Sequence, residues 1–361
     1  MSSIVYGGLD VHQESISAYL LCSDTGEVVT DEVANERQAL HRAVQRWSRL
    51  GALRLCYEAS SAGFVVRRWM EGWGVPCDVI APSLIPRAPG ERIKTDRRDA
   101  KNLALCYRGG LLQPVRVPSE AEETTRAVVR LRDAMTRDMT RAKNRVRKYL
   151  ALLGWPYPGP GRWGPAHRAW IDHLPLNADQ RLVVQSHLDA LDDLTRRRAE
   201  VDARIAQLAQ SPAYAPQVQR LMCLRGIDLY SAMVLACEIG DVRRFAAAPP
   251  MMSYFGLVPG EYSSGERQKR GHITKAGNAR ARWILIQAAW NQTSQPGSGA
   301  AVQQRRKGQP AAVVAIARRA ERRLHRRFWH LARRKDRKTA AVAVARELAG
   351  FVWAILQAPA A

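Results

Sequence analysis

The sequence predicts an α/β domain at the N-terminus, followed by long helices and a mostly α-helical C-terminal part. Residues 3–33 have the pattern of three adjoining strands, with a turn at Gly26 between the last two. Farther along, helical spacing over 36–50 precedes a buried strand at 53–59, and a second helix is predicted over 61–73. Strands that alternate with helices in this way indicate an α/β sheet.

A short strand, PCDVI, and a further helix over residues 99–109 complete the N-terminal pattern. Three adjoining strands followed by alternating strands and helices is the order of a ribonuclease-H-like (RuvC-like) α/β domain. We predict that this domain spans residues 1–115.

Residues 116–215 are predicted to form a helical region. Ser119-Glu-Ala-Glu122 is a capping-box pattern that starts a long helix to about residue 153. A Pro/Gly-rich break at 155–165 precedes a second helix over 178–210. Two apolar stripes favour an antiparallel or dimerising coiled coil, with a plain helical spacer as the alternative. The stripes contain Val128, Leu131, Met135, Met139 and Val146, and then Leu182, Leu188, Leu191, Leu194, Val201, Ile205 and Leu208.

Two further regions follow, at 216–300 and 301–361. The first begins as helix, tight turn at Gly226-Ile227-Asp228, helix, which predicts either a helix-hairpin-helix that binds DNA phosphate or an ordinary helical hairpin. The second is a basic helical extension. Its residues 318–338 hold eleven Arg or Lys against two acids, and a run this one-sided favours contact with phosphates.

Charge is the outlying property of the composition. The chain has 56 Lys plus Arg against 33 Asp plus Glu, a net charge of +23, which points to nucleic acid as the partner. The six scattered cysteines form no CxxC pair and are expected to be reduced core residues rather than zinc ligands. No 18-residue apolar run, lipidation motif or signal-peptide pattern is found, so no membrane partner and a cytoplasmic location are expected.

Four carboxylates are the candidate metal ligands. Asp10 and Glu58 each close a predicted strand, while Asp96 and Asp99 lie where a basic loop enters a helix. Acids that converge from these elements repel one another unless a cation lies between them, and Mg²⁺ or Mn²⁺ suits such oxygen ligands. This pattern predicts metal-dependent phosphoryl chemistry. Neighbouring basic side chains are expected to hold the nucleic-acid backbone, and these are Lys94, Arg97, Arg98 and Lys101.

A basic segment at 256–278 is the second candidate site. Ser263 and Ser264 precede a glycine in what we expect to be a flexible loop, and basic residues follow. A serine hydroxyl needs an activating base or cation to act as a nucleophile, so composition alone favours a phosphate-binding loop without a covalent role. The candidate nucleic-acid contacts in this part and on the long helix are Lys269, Arg270, Lys275, Arg280, Arg141, Lys143 and Arg145.

Taken together, the motifs resemble those of a known family. GLDVH, YEAS and KTDRRDAKNLA are similar to the N-terminal motifs of the DEDD-type insertion-sequence transposases, the insertion-sequence 110 family that includes the Piv and MooV DNA invertases. GLVPGEYSSGERQKRGHITKAGNARAR resembles the C-terminal transposase domain of that family. The resemblance implies metal-binding roles for Asp10, Glu58, Asp96 and Asp99, and a nucleophilic role for Ser264, with Ser263 as its adjacent alternative.

The resemblance also implies dimers or tetramers, donor and target DNA as substrates, and a structured bridge RNA that pairs with both. In the resulting hypothesis the acids hold a metal that polarises the scissile phosphate while Ser264 attacks it. One alternative is a Holliday-junction-resolving or structure-specific nuclease that uses the acids and water. Another is a non-enzymatic nucleic-acid-binding protein with a decayed ribonuclease-H-like fold.

Overall fold

A computed structural model describes residues 3–82, 85–86, 96–264 and 267–359, with the backbone alone for 262–264 and 267–270. The chain divides into two units, 1–118 and 119–361. The predicted four-part division of the sequence remains a prediction.

The N-terminal unit is an α/β domain, as predicted. Its strands are β1 (Ile4–Val11), β2 (Ser15–Cys22), β3 (Val28–Ala34), β4 (Ala52–Glu58) and β5 (Cys77–Ile80), and its helices are α1 (Arg37–Trp47), α2 (Val65–Gly72) and α3 (Asp96–Arg108). The sheet order is β3-β2-β1-β4-β5. The three consecutive strands pair antiparallel, whereas β4 and β5 run parallel to β1 because a helix connects each of them to the preceding strand.

Helices cover both faces of this sheet. The side chains of Leu9 and Leu55 lie in one buried cluster with Trp47 of α1 and Met70 of α2. Successive residues of a strand point to opposite faces, so the intervening positions belong to the other side. There Cys56 packs in a second cluster with Leu103 and Cys106 of α3. The face beneath α3 is the one on which the candidate ligands lie.

The C-terminal unit is mostly helical. Its helices are α4 (Glu120–Leu152), α5 (Pro165–Asp172), α6 (Ala178–Ala209), α7 (Ala215–Met222), α8 (Leu229–Ile239), α9 (Ala248–Tyr254), α10 (Ala279–Trp290), α11 (Ala300–Arg306), α12 (Ala311–Ala332) and α13 (Arg337–Leu356). A hairpin of β6 (Pro259–Ser264) and β7 (Arg267–Ile273) interrupts them. The predicted capping box starts α4: the Ser119 hydroxyl accepts from the Glu122 amide, and the Glu122 carboxylate accepts from the Ser119 amide.

The two long helices α4 and α6 pack side by side. Met139 shares a buried cluster with Leu191, and Val146 shares one with Leu188. Positions that rise along α4 therefore meet positions that fall along α6, and the pair is antiparallel. The coiled-coil prediction itself remains a prediction.

Two members of the predicted stripes lie off the faces that are buried within the single chain. Leu131 and Leu182 are exposed, because the buried faces run through Val129 on α4 and Val184 on α6. A position two residues away lies about 200° around a helix and faces the opposite side.

The last helix is apolar along much of its length. Although the sequence has no uninterrupted apolar run of 18 residues, α13 is long and apolar enough to cross a membrane by length and composition, despite the charged pair Arg346 and Glu347. Half of its apolar window is buried inside the protein. Its side chains, including Val344 and Leu348, lie in one core with Ile284 of α10. The basic extension therefore shares a core with the region before it.

The turn at 226–228 joins α7 and α8 as a helical hairpin. Gly226 has φ +80°, and a Cβ there would lie 2.6 Å from the Ala288 carbonyl oxygen of α10. Ile227 is fully buried, and the Asp228 carboxylate caps α8 by accepting from the Ser231 amide at 2.8 Å. An acid at the helix start occupies the amide that a phosphate would need. This arrangement favours the ordinary helical hairpin.

Candidate active site

The strand register brings two of the candidate acids together. In the parallel pair β1–β4, Leu9 lies opposite Tyr57, so Asp10 and Glu58 are side by side at the next position, at the carboxyl ends of both strands. Both acids alternate with residues that face away from α3 and therefore lie on the α3 face of the sheet. The predicted convergence of a strand-end aspartate and a strand-end glutamate agrees with this register.

A glycine contact brings α3, and with it the other two acids, to the same edge. A Cβ at Gly8 would lie 2.1 Å from the Ala100 carbonyl oxygen and 2.6 Å from the Ala104 amide nitrogen, distances that no larger residue tolerates. The backbone of α3 therefore rests directly on β1. The first turn of this helix, which carries Asp96 and Asp99, lies next to the end of the strand.

Three side chains form the tightest group at this edge. His12 Nε2 lies 3.3 Å from Asp10 Oδ2 and 3.3 Å from Asp96 Oδ2, and one donor atom from each residue lies within 4.8 Å of the others. His12 was not among the predicted ligands. Its only signal is its place in GGLDVH, two residues after Asp10, which is the spacing that puts two strand residues on one face.

Negative charge is concentrated here. Burial raises the pKa of Asp10 above its ordinary value; the neighbouring His12 lowers it, while the charges of Asp96 and Asp99 raise it further. Glu58 and Asp99 are not members of the 4.8 Å group among the residues that the structure describes. The structure therefore gathers Asp10, Asp96 and His12 closely, with the other two acids at the periphery.

The donor set fits a hard divalent ion. Carboxylate oxygens are the ligands that Mg²⁺ and Mn²⁺ prefer, and Mg²⁺ binds to proteins through one or two carboxylates while keeping several waters. Asp10 and Asp96 supply such oxygens from two elements fixed against each other. His12 is half exposed, so it can remain as a nitrogen ligand or turn aside.

The basic residues around α3 have different surroundings. Arg97 donates a hydrogen bond from Nη2 to Thr30 Oγ1 at 3.1 Å, which directs it toward β3. Arg98 and Lys101 are exposed on α3, as a backbone-binding role requires. Lys94 lies outside the described residues.

The segment with the two serines forms two paired strands, so the expectation of a loop there is wrong. Strands β6 and β7 pair antiparallel, with Ser264 opposite Arg267 and Ser263 opposite Gln268. Only Gly-Glu separates the strands in sequence, a spacing typical of two-residue hairpins. We missed it because the segment is polar and lacks an apolar alternation. The predicted side-chain roles of both serines and of Lys269 and Arg270 fall outside the described side chains.

Two glycines close the base of this hairpin. Gly256 has φ +63°, and a Cβ there would lie 2.4 Å from the Ala276 carbonyl oxygen. Gly277 has φ +109°, and its Cβ would lie 2.2 Å from the Tyr254 carbonyl oxygen. Both the positive φ and the close backbone contact require glycine. These contacts set the two ends of the hairpin segment against each other.

A buried acid, Glu238, contacts residues at both ends of the hairpin segment. The Asn278 amide donates to Glu238 Oε2 at 2.8 Å, Tyr254 Oη donates to the Glu238 carbonyl oxygen at 2.8 Å, and Arg130 binds both Glu238 carboxylate oxygens at 3.0 Å. Burial raises the pKa of Glu238, but the bonds from Arg130 and Asn278 outweigh it, so the pKa is lowered overall. Sequence reasoning missed Glu238, although an acid inside the apolar run LACEIG signals a buried partner.

The candidate nucleic-acid residues on α4 have local partners. Arg141 pairs with Asp138 at 2.6 Å while remaining largely exposed, and the Lys143 ammonium lies 5.7 Å from the centre of the Trp163 ring. Arg145 is exposed. Surface pairs of this kind contribute little to stability, so they do not prevent a phosphate contact.

The remaining two candidates lie on either side of the start of α10. Lys275 is exposed, with φ +56°, between the hairpin and the helix. Arg280, in the first turn of α10, forms an ion pair with Asp133 of α4. It therefore links the region of the hairpin to the long helix.

A mixed sheet with carboxylates at one edge, followed by a mainly helical part, is consistent with the class of DEDD nuclease-like proteins. Comparisons with known proteins agree. Residues 7–154 match the DEDD transposase family model of the IS110 group, and residues 218–304 match the model described as Transposase IS116/IS110/IS902 family.

Two relatives align over most of their length. A Sinorhizobium fredii protein designated y4qE is 37% identical over 326 residues, which cover 90% of this chain and 80% of the relative. The transposase of insertion sequence element IS1533 from Leptospira borgpetersenii is 32% identical over 346 residues, covering 92% and 97%. The chain belongs to the IS110 family of transposases. Membership implies DNA substrates, DNA-cutting activity and a divalent metal.

Proposed function

We propose that this protein is a transposase that cuts and exchanges DNA strands through a serine nucleophile, assisted by a metal bound at the acid cluster. The observation that carries the proposal is the group formed by Asp10, His12 and Asp96 at the edge of the sheet. Its position beside the start of α3 agrees with the metal-binding roles implied for Glu58 and Asp99. We also propose that the protein acts in the cytoplasm.

In the proposed mechanism, Asp10 and Asp96, which lie on two elements fixed by the Gly8 contact, would hold a divalent ion. A bound divalent ion would polarise the scissile phosphate. The Ser264 hydroxyl loses its proton to water and attacks phosphorus, so that a phosphorus–oxygen bond to serine forms and the bond to a deoxyribose oxygen breaks. The released deoxyribose oxygen takes up a proton from water. A hydroxyl of the second DNA strand later displaces serine, which conserves the bond energy through the exchange.

We further propose that a structured bridge RNA selects the donor and target sequences by base pairing, as in other RNA-guided systems. The protein would then read backbone and shape, which suits its net charge of +23. A homodimer or homotetramer would provide one serine for each strand cut. Supporting observations are the exposed basic side chains of α3 and α4.

The decisive experiment compares Ser264→Ala with the adjacent Ser263→Ala on a labelled DNA carrying the donor junction. We expect the wild type and Ser263→Ala to form a covalent protein–DNA adduct on a denaturing gel. Ser264→Ala should form none and should lose strand exchange, with an unchanged thermal melt. Continued cleavage by Ser264→Ala would indicate a nuclease that uses the acids and water. Loss of the adduct in Ser263→Ala alone would move the nucleophile by one residue.

The proposed metal site and the proposed guide RNA are tested in separate experiments. Asp10→Ala should lose cleavage and the stabilisation of the protein by Mn²⁺, whereas a non-enzymatic DNA-binding protein would be unaffected. RNA that co-purifies with the full-length protein should be one discrete structured species by sequencing. A heterogeneous cellular background would contradict the guide.

A further inference from the structure

The C-terminal unit contains a cavity of about 660 Å³ among α4, α8 and α10. Its walls include apolar side chains, Val129, Val234 and Ile284, and two aromatic rings, Tyr230 and Trp283. Trp283 is 54% exposed, so much of its indole is open to solvent. An exposed large aromatic beside an open cavity is a binding feature rather than a core feature.

The polar lining of the cavity is mainly basic. Four arginines face two acids there: the arginines are Arg130, Arg137, Arg141 and Arg280, and the acids are Asp133 and Glu238. Arg141 and Arg280 were predicted from separate motifs as nucleic-acid contacts, and the structure brings them to one cavity. The surplus of positive charge favours a ligand that carries phosphate.

The charged side chains of the cavity differ in their partners and in their exposure to solvent. Arg130 is tied to Glu238 by two hydrogen bonds of 3.0 Å. Asp133 pairs with Arg280 and, at 2.6 Å, with Arg137. Arg137 and Arg141 keep 60% and 66% of their side-chain surface exposed, so they can turn to a phosphate at the rim.

We propose that this cavity binds an unpaired nucleobase of a DNA or RNA strand. The base stacks on Trp283, and its flanking phosphates are held by Arg137 and Arg141. The size is that of a small-molecule site, large enough for one nucleotide. Aromatic rings combined with arginines form the stacking platform used for single strands. The inference rests on the proposed nucleic-acid function and adds a specific site for a base outside a duplex.

The test uses the full-length protein and fluorescent single strands of DNA and of RNA, each compared with a strand of the same length made of abasic residues. The wild type should bind the strand with bases more tightly than the abasic strand. Trp283→Ala should lose about 5- to 150-fold in affinity for strands with bases, the range for one stacked base. It should bind abasic strands as the wild type does. Trp283→Phe should retain most of the preference.

The rim arginines should behave differently. Arg137→Ala and Arg141→Ala should weaken binding of both kinds of strand equally and reduce the salt slope by about 1 each. Leu182→Ala, which removes an exposed apolar side chain outside the cavity, serves as the control and should bind like the wild type. Because Trp283 is half exposed, its removal leaves no large core cavity, and thermal melts verify folding. A preference confined to the DNA or the RNA arm identifies the natural strand.

An unchanged preference for bases in Trp283→Ala would overturn the inference while leaving the proposed function intact. A wild type that binds neither strand would instead contradict the proposed nucleic-acid function. If Trp283→Ala changes the oligomeric state in size-exclusion chromatography but not the base preference, the cavity is occupied by a second copy of the chain, which also overturns the inference.

Discussion

Replacing Gly8 by alanine tests how the fold positions the metal site. The new Cβ would lie 2.1 Å from the Ala100 carbonyl oxygen and 2.6 Å from the Ala104 amide nitrogen. Both are backbone atoms of α3, so no side-chain rotation relieves the contact. The helix must move away from β1 by about 1 Å to restore ordinary van der Waals separation.

The displacement acts on the site directly, because Asp96 and Asp99 are in the first turn of α3. Mg²⁺ requires near-ideal octahedral geometry with ligands at about 2.0–2.1 Å, so a shift of about 1 Å would separate Asp96 from the ion that Asp10 is proposed to bind. A misplacement of that size reduces catalysis by about 100-fold. Overpacking also costs about 1–3 kcal/mol, which lowers the Tm of the N-terminal unit by roughly 4–12 °C.

Gly7→Ala is the matched control on the neighbouring residue. Its Cβ would meet Leu55 Cδ2 at 2.4 Å and Leu20 Cδ2 at 2.8 Å, both ends of flexible side chains on the face away from α3. We expect a loss of stability without a loss of metal affinity. The assays are thermal melts and isothermal titration with Mn²⁺. Equal Mn²⁺ affinity in the two variants would refute the role of the glycine contact in placing the ligands.

Three further predictions concern the C-terminal unit. Glu238→Gln should loosen the hairpin base, costing about 1.5–3 kcal/mol in thermal melts and lowering adduct formation. Burial raises the pKa of Glu321, but hydrogen bonds from arginines, including Arg225, outweigh it, so the pKa in the folded protein is lowered overall. The ionised Glu321 therefore stabilises the fold above about pH 4.3, the pKa in the unfolded chain, and this stabilisation is lost as the pH falls through the lower pKa of the folded state. Glu321→Gln should cost about 3–5 kcal/mol at neutral pH and flatten the acid limb of the melting curve. Arg318→Gln and Arg322→Gln should each reduce the log–log salt slope for DNA binding by about 0.7–0.9, and an unchanged slope would exclude a phosphate contact.

The sequence predicted the local features of the fold well. The β-meander, the helix that follows Ser119 and the strand ends at Asp10 and Glu58 all depend on patterns within one segment, and the structure has them. Burial on the long helices was less predictable. Leu131 and Leu182 continue the apolar spacing but face solvent, because the partner helix decides which of several apolar faces is covered.

The candidate site likewise combines features that one sequence segment predicts with features that depend on distant parts of the chain. The acids follow from their positions at element ends, whereas Asp96 meets Asp10 and His12 only because α3 rests on β1, a contact between residues about 90 positions apart. Glu238 was missed for a similar reason, since its partners Arg130 and Asn278 come from distant segments. Periodicity within a segment carries no information about such partners.

The glycines of the two motifs have one physical role in common. Gly8 lets α3 lie on β1, and Gly256 and Gly277 let the ends of the hairpin segment meet, in each case at distances that a Cβ forbids. None of them has a reactive group, yet each sets where reactive groups lie. Backbone packing therefore sets where the first turn of α3 and the two ends of the hairpin segment lie. Alanine at these glycines should reduce activity, by about 100-fold at Gly8, although every candidate catalytic side chain is still present. Such a loss would show that the positions of these side chains matter as well as their chemistry.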